Sequence, residues 1–133
     1  MAKSTQPNES AGVSFAIFNK STSIAIADSV SIAGTSSKRR KGLRGIDDLG
    51  HGQGLWISPC EAIHTFGMKI AIDAIFIDGN HRVKKVYSAV RPCRIAWCLA
   101  ADSVIELPES SVTRSQTKAG DHLMIIRNET AQG

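Results

Sequence analysis

Two acidic residues of this sequence stand inside apolar runs, where carboxylates are seldom found. Asp73 lies in the run IAIDAIFI (residues 70–77), and Glu106 lies in the run VIEL (residues 104–107). A carboxylate that leaves water loses roughly several kcal/mol unless it gains hydrogen bonds, an opposite charge or a proton. For Asp73 two explanations are open: it accepts hydrogen bonds from backbone N–H groups or an arginine, or it serves a ligand.

If Asp73 is functional, we expect it to face a pocket that it shares with Glu106 and with His64 from the preceding segment. We therefore predict a ligand-binding patch of His64, Met68, Asp73 and Glu106, and we assign no catalytic residue. The ligand that we expect is a small polar molecule or a carbohydrate, which makes the protein a binding or accessory module rather than an enzyme.

Cysteine chemistry gives the rival hypotheses. Cys60, His64 and Asp73 are residue types that a hydrolase or thiol enzyme uses as nucleophile, base and orienting acid. Cys60, His64, Cys93 and Cys98 are a zinc set by type. However, the four residues from Cys60 to His64 cover about 13 Å in an extended strand, which is too far for two ligands of one ion unless Pro59 to His64 forms a turn. We expect no bound metal.

Positive charge is concentrated in one segment. The net charge is +4, and Lys38, Arg39, Arg40, Lys41 and Arg44 contribute +5, so the rest of the chain sums to 4 − 5 = −1. The segment is either a solvated helix face or a contact for an acidic surface. No aromatic residue is interleaved with these cations, so a nucleic-acid partner is not expected. Glycine-rich phosphate-binding motifs are absent from the sequence, and we expect no nucleotide cofactor.

Trp56 and Trp97 lie on or beside predicted strands. A tryptophan in that place is either half-buried in the core or a platform on which a carbohydrate or small amphiphile rests. Both explanations are open from the sequence.

The composition indicates one globular domain. The chain has 133 residues, of which 42% are hydrophobic and only seven are aromatic. This is enough for an aliphatic core without disulfides. The first twelve residues contain no apolar run of the kind that a secretory signal needs, and no stretch approaches the roughly 20 apolar residues of a membrane span. We expect a cytoplasmic protein whose three cysteines are thiols.

The hydropathy pattern predicts a mainly β fold. Apolar alternation predicts an N-terminal hairpin over residues 13–27, and residues 70–77 are apolar on both faces, which predicts a central strand. Asp78-Gly79 is a hairpin turn signal, and the charged strand after it suits an edge. Further strands are predicted over residues 55–58, 103–107 and 122–126.

Helical signals are short. Ser36 or Ser37 can cap a helix that Gly42 and Gly45 limit to about two turns, with Leu43 pointing inward, and a second helix is predicted between Pro108 and Gln116. No long amphipathic helix is available for parallel crossovers. About seven strands and two short helices therefore indicate an antiparallel β-sandwich or partly open barrel.

Several segments resemble a known family. The segments LWISPC (55–60), IHTFGMKIAIDAIFIDG (63–79), SVIELPES (103–110) and KAGDHLMI (118–125) resemble the signature of the domain of unknown function 192 family. The resemblance implies a compact jelly-roll β-sandwich and no established activity. The chain departs from the pattern at Ala71, where many relatives carry proline, and at His64-Thr65, where a large branch carries aromatic residues. We predict a tail over 1–12, one β domain over 13–127 and a C-terminal tail over 128–133.

Overall fold

The computed structural model describes residues 13–46 and 48–129, with all side chains except that of Arg40. The predicted tail over residues 1–12 lies outside the described residues, as does most of the predicted C-terminal tail. The strands in the described ranges are β1 (Phe15–Asn19), β2 (Ile24–Ala33), β3 (Gln53–Ile57), β4 (Ala62–His64), β5 (Ile72–Ile77), β6 (Val83–Val90), β7 (Ile95–Trp97), β8 (Ser103–Pro108) and β9 (Leu123–Arg127). The helices are α1 (Ser36–Lys41) and α2 (Ser111–Ser115).

Seven of the strands form one curled sheet in the order β6-β5-β8-β3-β2-β1-β9. The remaining two, β4 and β7, pair in a small second sheet. The mainly β fold with two short helices is thus confirmed, and so are the N-terminal hairpin β1–β2 and the edge position of β6. Neither helix in the described part of the chain is long and apolar enough to cross a membrane.

One strand pair departs from the predicted antiparallel arrangement, because β2 and β3 run parallel. The chain leaves β2 at Ala33, passes through α1 and the glycine-rich loop, and enters β3 at Gln53. A parallel connection needs a dozen or more residues but no long helix, so this segment is sufficient. The prediction of antiparallel pairing was wrong for β2 and β3 because it assumed that a parallel crossover needs a long amphipathic helix.

The short elements also differ from their predictions. β4 and β7 have three residues each and were not predicted. The helix α1 is capped by Thr35, whose Oγ1 accepts a hydrogen bond from Lys38 N at 3.2 Å, and not by Ser36 or Ser37. The helix α2 begins at Ser111 rather than at Pro108, since Pro108 still belongs to β8 and lies opposite Ile72.

The large sheet carries a hydrophobic core on each face, and β5 separates the two cores. All six residues of β5 are buried, as predicted for a central strand. Ile75 and Ile77 pack in the first core, with residues of β1, β2, β9 and α2. Ile72, Ala74 and Phe76 pack in the second core, where α1, the loops and the small sheet cover the opposite face.

Asp73 lies on the first-core face, and its carboxylate is held by backbone N–H groups. Its side chain is fully buried. Oδ1 accepts a hydrogen bond from Ala89 N at 2.8 Å, and Oδ2 accepts one from Val112 N at 2.7 Å. Ala89 has a left-handed φ of 53°, and the cap residue of α2, Ser110, makes no side-chain capping bond. Asp73 therefore fixes a bulge in β6, where the register with β5 shifts, and the start of α2.

Gly54 permits an unusually close approach of β3 to β8. A Cβ atom at this buried position would lie 2.8 Å from the carbonyl oxygen of Glu106 and 2.8 Å from Cδ2 of Leu107. Any side chain at Gly54 would therefore push apart the two strands at the residue that carries the second buried carboxyl group.

Replacing Asp73 with Asn should reduce the free energy of unfolding by about 2 to 4 kcal/mol, because the amide group cannot accept both N–H bonds and leaves a buried donor unpaired. Urea unfolding followed by circular dichroism measures this loss. The control is Asp102→Asn at an exposed carboxylate, which should change stability by less than about 0.5 kcal/mol. Equal stability of Asp73→Asn and wild type would contradict the structural role.

Gly54→Ala should cost about 1 to 3 kcal/mol, because the added methyl group meets the β8 backbone. Gly34→Ala is the matched control: the nearest atom to its Cβ is Ser58 O at 4.0 Å, so the change should be close to neutral. Thermal unfolding of both variants tests the comparison, and a neutral Gly54→Ala would show that the strands can separate without loss.

Candidate ligand-binding cavity

A cavity of about 330 Å³ lies on the second-core side, between α1 with its following turn, the segment after β3, and β4 with the turn after it. We call it the Glu106 cavity. Its lining consists of Ser36, Arg39, Lys41, Gly42, Leu43, Arg44, Ile57, Pro59, Cys60, Ala62, Ile63, His64, Phe66, Met68 and Glu106.

Glu106 contributes a buried carboxyl group to this lining. Its side chain is 3% exposed, and within the described residues Oε1 has no hydrogen-bond partner. Burial raises the pKa of Glu106 from its ordinary value of 4.5 to about 7. The turn after α1 lies directly against this oxygen, because a Cβ on Gly42 would be 3.6 Å from Oε1. Buried polar atoms without a partner are rare in folded proteins, so Oε1 requires an explanation.

His64 and Met68 line the same cavity from the other side. The His64 side chain is exposed, and its Nδ1 accepts a hydrogen bond from Phe66 N at 3.3 Å. The His64 and Phe66 rings stack, with centroids 5.0 Å apart and planes inclined by 29°. Met68 is buried in the second core. The cavity thus has a flat aromatic rim and an apolar wall.

Thr65 holds the end of β4 in place. The residue is buried, its Oγ1 donates a hydrogen bond to Arg91 O at 2.7 Å, and the same oxygen accepts one from Arg94 N at 2.8 Å. Backbone bonds from Thr65 N to Arg94 O and from Cys93 N to Thr65 O complete this connection. The residues on either side of Thr65 that line the cavity are therefore fixed to the loop before β7.

The structure brings three residues of the predicted patch together and separates the fourth. His64, Met68 and Glu106 line one cavity, whereas Asp73 is absent from its lining. The cause is the pairing of β5 with β8: Asp73 lies opposite Leu107, and Glu106 lies opposite Ala74. Paired residues share a face and neighbours along a strand alternate, so the two carboxyl groups lie on opposite faces of the sheet.

The geometry gives no support to a thiol nucleophile. The Cys60 thiol donates a hydrogen bond to Ala62 O at 3.1 Å. Burial raises the pKa of Cys60, and the nearby Glu106 carboxylate adds to that rise. Asp73 is on the other face of the sheet and cannot orient His64. A raised pKa disfavours the thiolate, which is the reactive form.

Cys60, Cys93 and Cys98 are all free thiols. Within residues 13–46 and 48–129, no group of three or more His, Cys, Asp or Glu side chains could hold a metal ion. The zinc set considered from the sequence is therefore not assembled.

Three cations of the basic segment, Arg39, Lys41 and Arg44, line the Glu106 cavity. The basic segment is evident in the sequence, but its proximity to Glu106 was not predicted. Gly42 was the one indication in the sequence, since a glycine at the end of a helix lets the chain change direction. Nothing in the sequence showed that Glu106 would lie there.

The two tryptophans have different environments. Trp56 is half-buried: its Nε1 donates a hydrogen bond to Ser103 Oγ at 2.9 Å, and its ring packs edge-on against Phe15. Trp97 is 53% exposed on β7, with Lys85 Nζ 5.8 Å from its ring centroid. Neither residue lines the Glu106 cavity.

The curled β sheet with a small cavity against one face makes this protein a mainly β domain. Comparison with known proteins identifies its family. The sequence profile of the DUF192 family, described as "Uncharacterized ACR", matches residues 17–125. The chain belongs to this family, as its signature segments indicated. No curated protein matches the chain.

Two crystal structures share the fold. A Sinorhizobium meliloti protein described as a candidate transcription regulator is 18% identical, with a TM-score of 0.75 over 84% of this chain and 92% of that one. A Novosphingobium aromaticivorans protein of unknown function is 20% identical, with a TM-score of 0.73 over 84% of this chain and 83% of that one. At these identities the similarity establishes the fold and carries no function.

Replacing Glu106 with Gln should change how stability depends on pH. In the folded protein Glu106 holds its proton up to about pH 7, whereas the unfolded chain loses it near pH 4.5. The contribution of protonated Glu106 to the free energy of unfolding is therefore fully present below pH 4.5 and is lost as the pH rises through 7. This pKa shift corresponds to a loss of about 3 kcal/mol in the free energy of unfolding at pH 8. Glu106→Gln should not show this loss.

Urea unfolding of both proteins between pH 4 and pH 8 measures this difference. Glu109→Gln, at an exposed carboxylate three residues along the chain, is the control and should follow the wild-type profile. Parallel profiles for wild type and Glu106→Gln would mean that the Glu106 carboxyl group is solvated in the folded protein.

Proposed function

We propose that this protein is a binding module for a small hydroxyl-bearing ligand of the carbohydrate class, and that the ligand occupies the Glu106 cavity. The observation that carries the proposal is the buried Oε1 atom of Glu106, which has no partner among the described residues. Leaving such an atom unsatisfied costs about 1 to 3 kcal/mol, and a ligand that supplies a hydrogen bond recovers that cost on binding.

A hydroxyl group suits this carboxyl in either protonation state. With a pKa of about 7, Glu106 is present in neutral and charged forms near neutral pH. The neutral form donates its proton to the oxygen of a hydroxyl, and the charged form accepts the proton of a hydroxyl. A carbonyl group can only accept a hydrogen bond and an ammonium group can only donate one, so neither takes both roles as a hydroxyl does.

The remaining lining supports a small ring-shaped ligand. A volume of about 330 Å³ is at the lower end of the range for small-molecule sites, which suits a single sugar ring better than a longer chain. The stacked rings of His64 and Phe66 offer a flat face at the rim, and Met68 and Ile57 offer apolar contact. Asp73 has no part in this proposal, because its oxygens already accept two backbone hydrogen bonds.

Titration with neutral sugars tests the proposal. Glucose, galactose, mannose, ribose and myo-inositol are added to ¹⁵N-labelled protein, and backbone amide shifts are followed. At least one sugar should shift the amides of Gly42, Ile63, His64 and Met68 in a saturable manner. In Glu106→Leu, which removes the hydrogen bond but keeps an apolar side chain of similar size, the affinity should fall about tenfold or more.

The matched control is Glu109→Leu, which makes the same substitution at an exposed position and should bind as wild type does. The proposal fails if none of the sugars shifts these amides, or if Glu106→Leu binds as tightly as Glu109→Leu. The melting temperature of each variant shows whether it is folded during the titration.

A further inference from the structure

The Glu106 cavity is electropositive at its rim. Among the described residues of the lining, Arg39, Lys41 and Arg44 contribute three positive charges, and Glu106 contributes the one carboxyl group. Glu106 is buried, whereas Lys41 and Arg44 are exposed. Charge and hydrogen-bonding capacity are therefore separated along the cavity, with cations at the mouth and a carboxyl group inside.

The three cations do not have the same role. The Arg39 guanidinium donates a hydrogen bond to Gly34 O at 2.8 Å and a longer one to Ser36 Oγ at 3.5 Å, so it serves α1 itself. Within the described residues, the structure assigns neither Lys41 nor Arg44 a hydrogen bond from its side chain or an ion pair with an acidic group. Lys41 and Arg44 are thus the two cations available to a ligand.

Arg44 is positioned at the mouth by its aliphatic stem. The stem lies against Gly67, where a Cβ atom would be 2.8 Å from Cγ and 2.9 Å from Cδ of Arg44. Gly67 has a φ of 81° and forms the turn between the two cavity residues Phe66 and Met68. A backbone bond from Gly45 N to Gly67 O, at 3.4 Å, joins the same two segments.

We propose that the ligand carries an anionic group beside its hydroxyls, as a sugar acid or sugar phosphate does, and that Lys41 and Arg44 bind this group while Glu106 binds a hydroxyl. This inference rests on the proposed function and names the class of ligand within it. Arginine and lysine bind carboxylates and phosphates through charge-assisted hydrogen bonds, which are stronger than neutral ones. A neutral sugar would leave both cations without a partner.

Four matched probes test the inference: glucose, gluconate, glucose 6-phosphate and inorganic phosphate. Amide-shift titration at low ionic strength gives the dissociation constant of each. At least one of the two anionic sugars should bind about tenfold or more tightly than glucose, and than inorganic phosphate, and its advantage over glucose should shrink as sodium chloride is raised. The two anionic sugars distinguish a carboxylate from a phosphate as the preferred anion.

Lys41→Gln and Arg44→Gln should each weaken the anionic sugar about threefold to tenfold and leave glucose unchanged. The control variant is Lys20→Gln, which removes an exposed cation outside the cavity lining and should have no effect on either ligand. Equal affinities for glucose and both anionic sugars would overturn this inference alone. Binding of inorganic phosphate as tight as that of the better anionic sugar would also overturn it. Absence of binding by all four probes would overturn this inference, and the proposed function fails with it only if galactose, mannose, ribose and myo-inositol also leave the cavity amides unshifted.

Discussion

The register between β5 and β8 is the constraint on which the rest of the structure depends. Because Asp73 lies opposite Leu107 and Glu106 lies opposite Ala74, the two buried carboxyl groups lie on opposite faces of one sheet. A shift of one residue between these two strands would place both carboxyl groups on the same face of the sheet. Gly54 supports the same register from β3, since it lets that strand approach Glu106 closely.

The two carboxyl groups show how the same residue class takes different roles according to what surrounds it. Two backbone N–H groups satisfy Asp73, one from a bulge in β6 and one from the start of α2, so this carboxylate stabilises the fold. No described residue offers a donor to Oε1 of Glu106, and this is the atom that we propose a ligand to satisfy. Unsatisfied polar groups that persist in a folded protein often belong to sites whose partner arrives from outside.

Much of the fold follows from the sequence, and the site follows only in part. Apolar alternation identifies β1 and β2, continuous apolar runs identify β5 and β8, and the Asp78-Gly79 turn identifies β6, because local patterns determine these elements. The three-residue strands β4 and β7 are too short for a periodic signal. The unusual burial of Glu106 is visible in the apolar run around it. The separation of Glu106 from Asp73 depends on the register between β5 and β8, which local sequence patterns do not determine. The cations reach the cavity through the turn at Gly42, and local patterns do not determine that position either.

Glu106 carries a buried carboxyl group that has an oxygen without a hydrogen-bond partner among the described residues, and this group lines the cavity proposed to bind a ligand. A ¹³C NMR titration of the Glu106 side-chain carboxyl carbon tests it most directly, with assignment through Glu106→Gln. We expect a pKa of about 7 in the ligand-free protein, and a shift in that pKa when a bound sugar supplies a hydrogen bond. A pKa close to the ordinary value of 4.5, unchanged by every ligand tested, would contradict it.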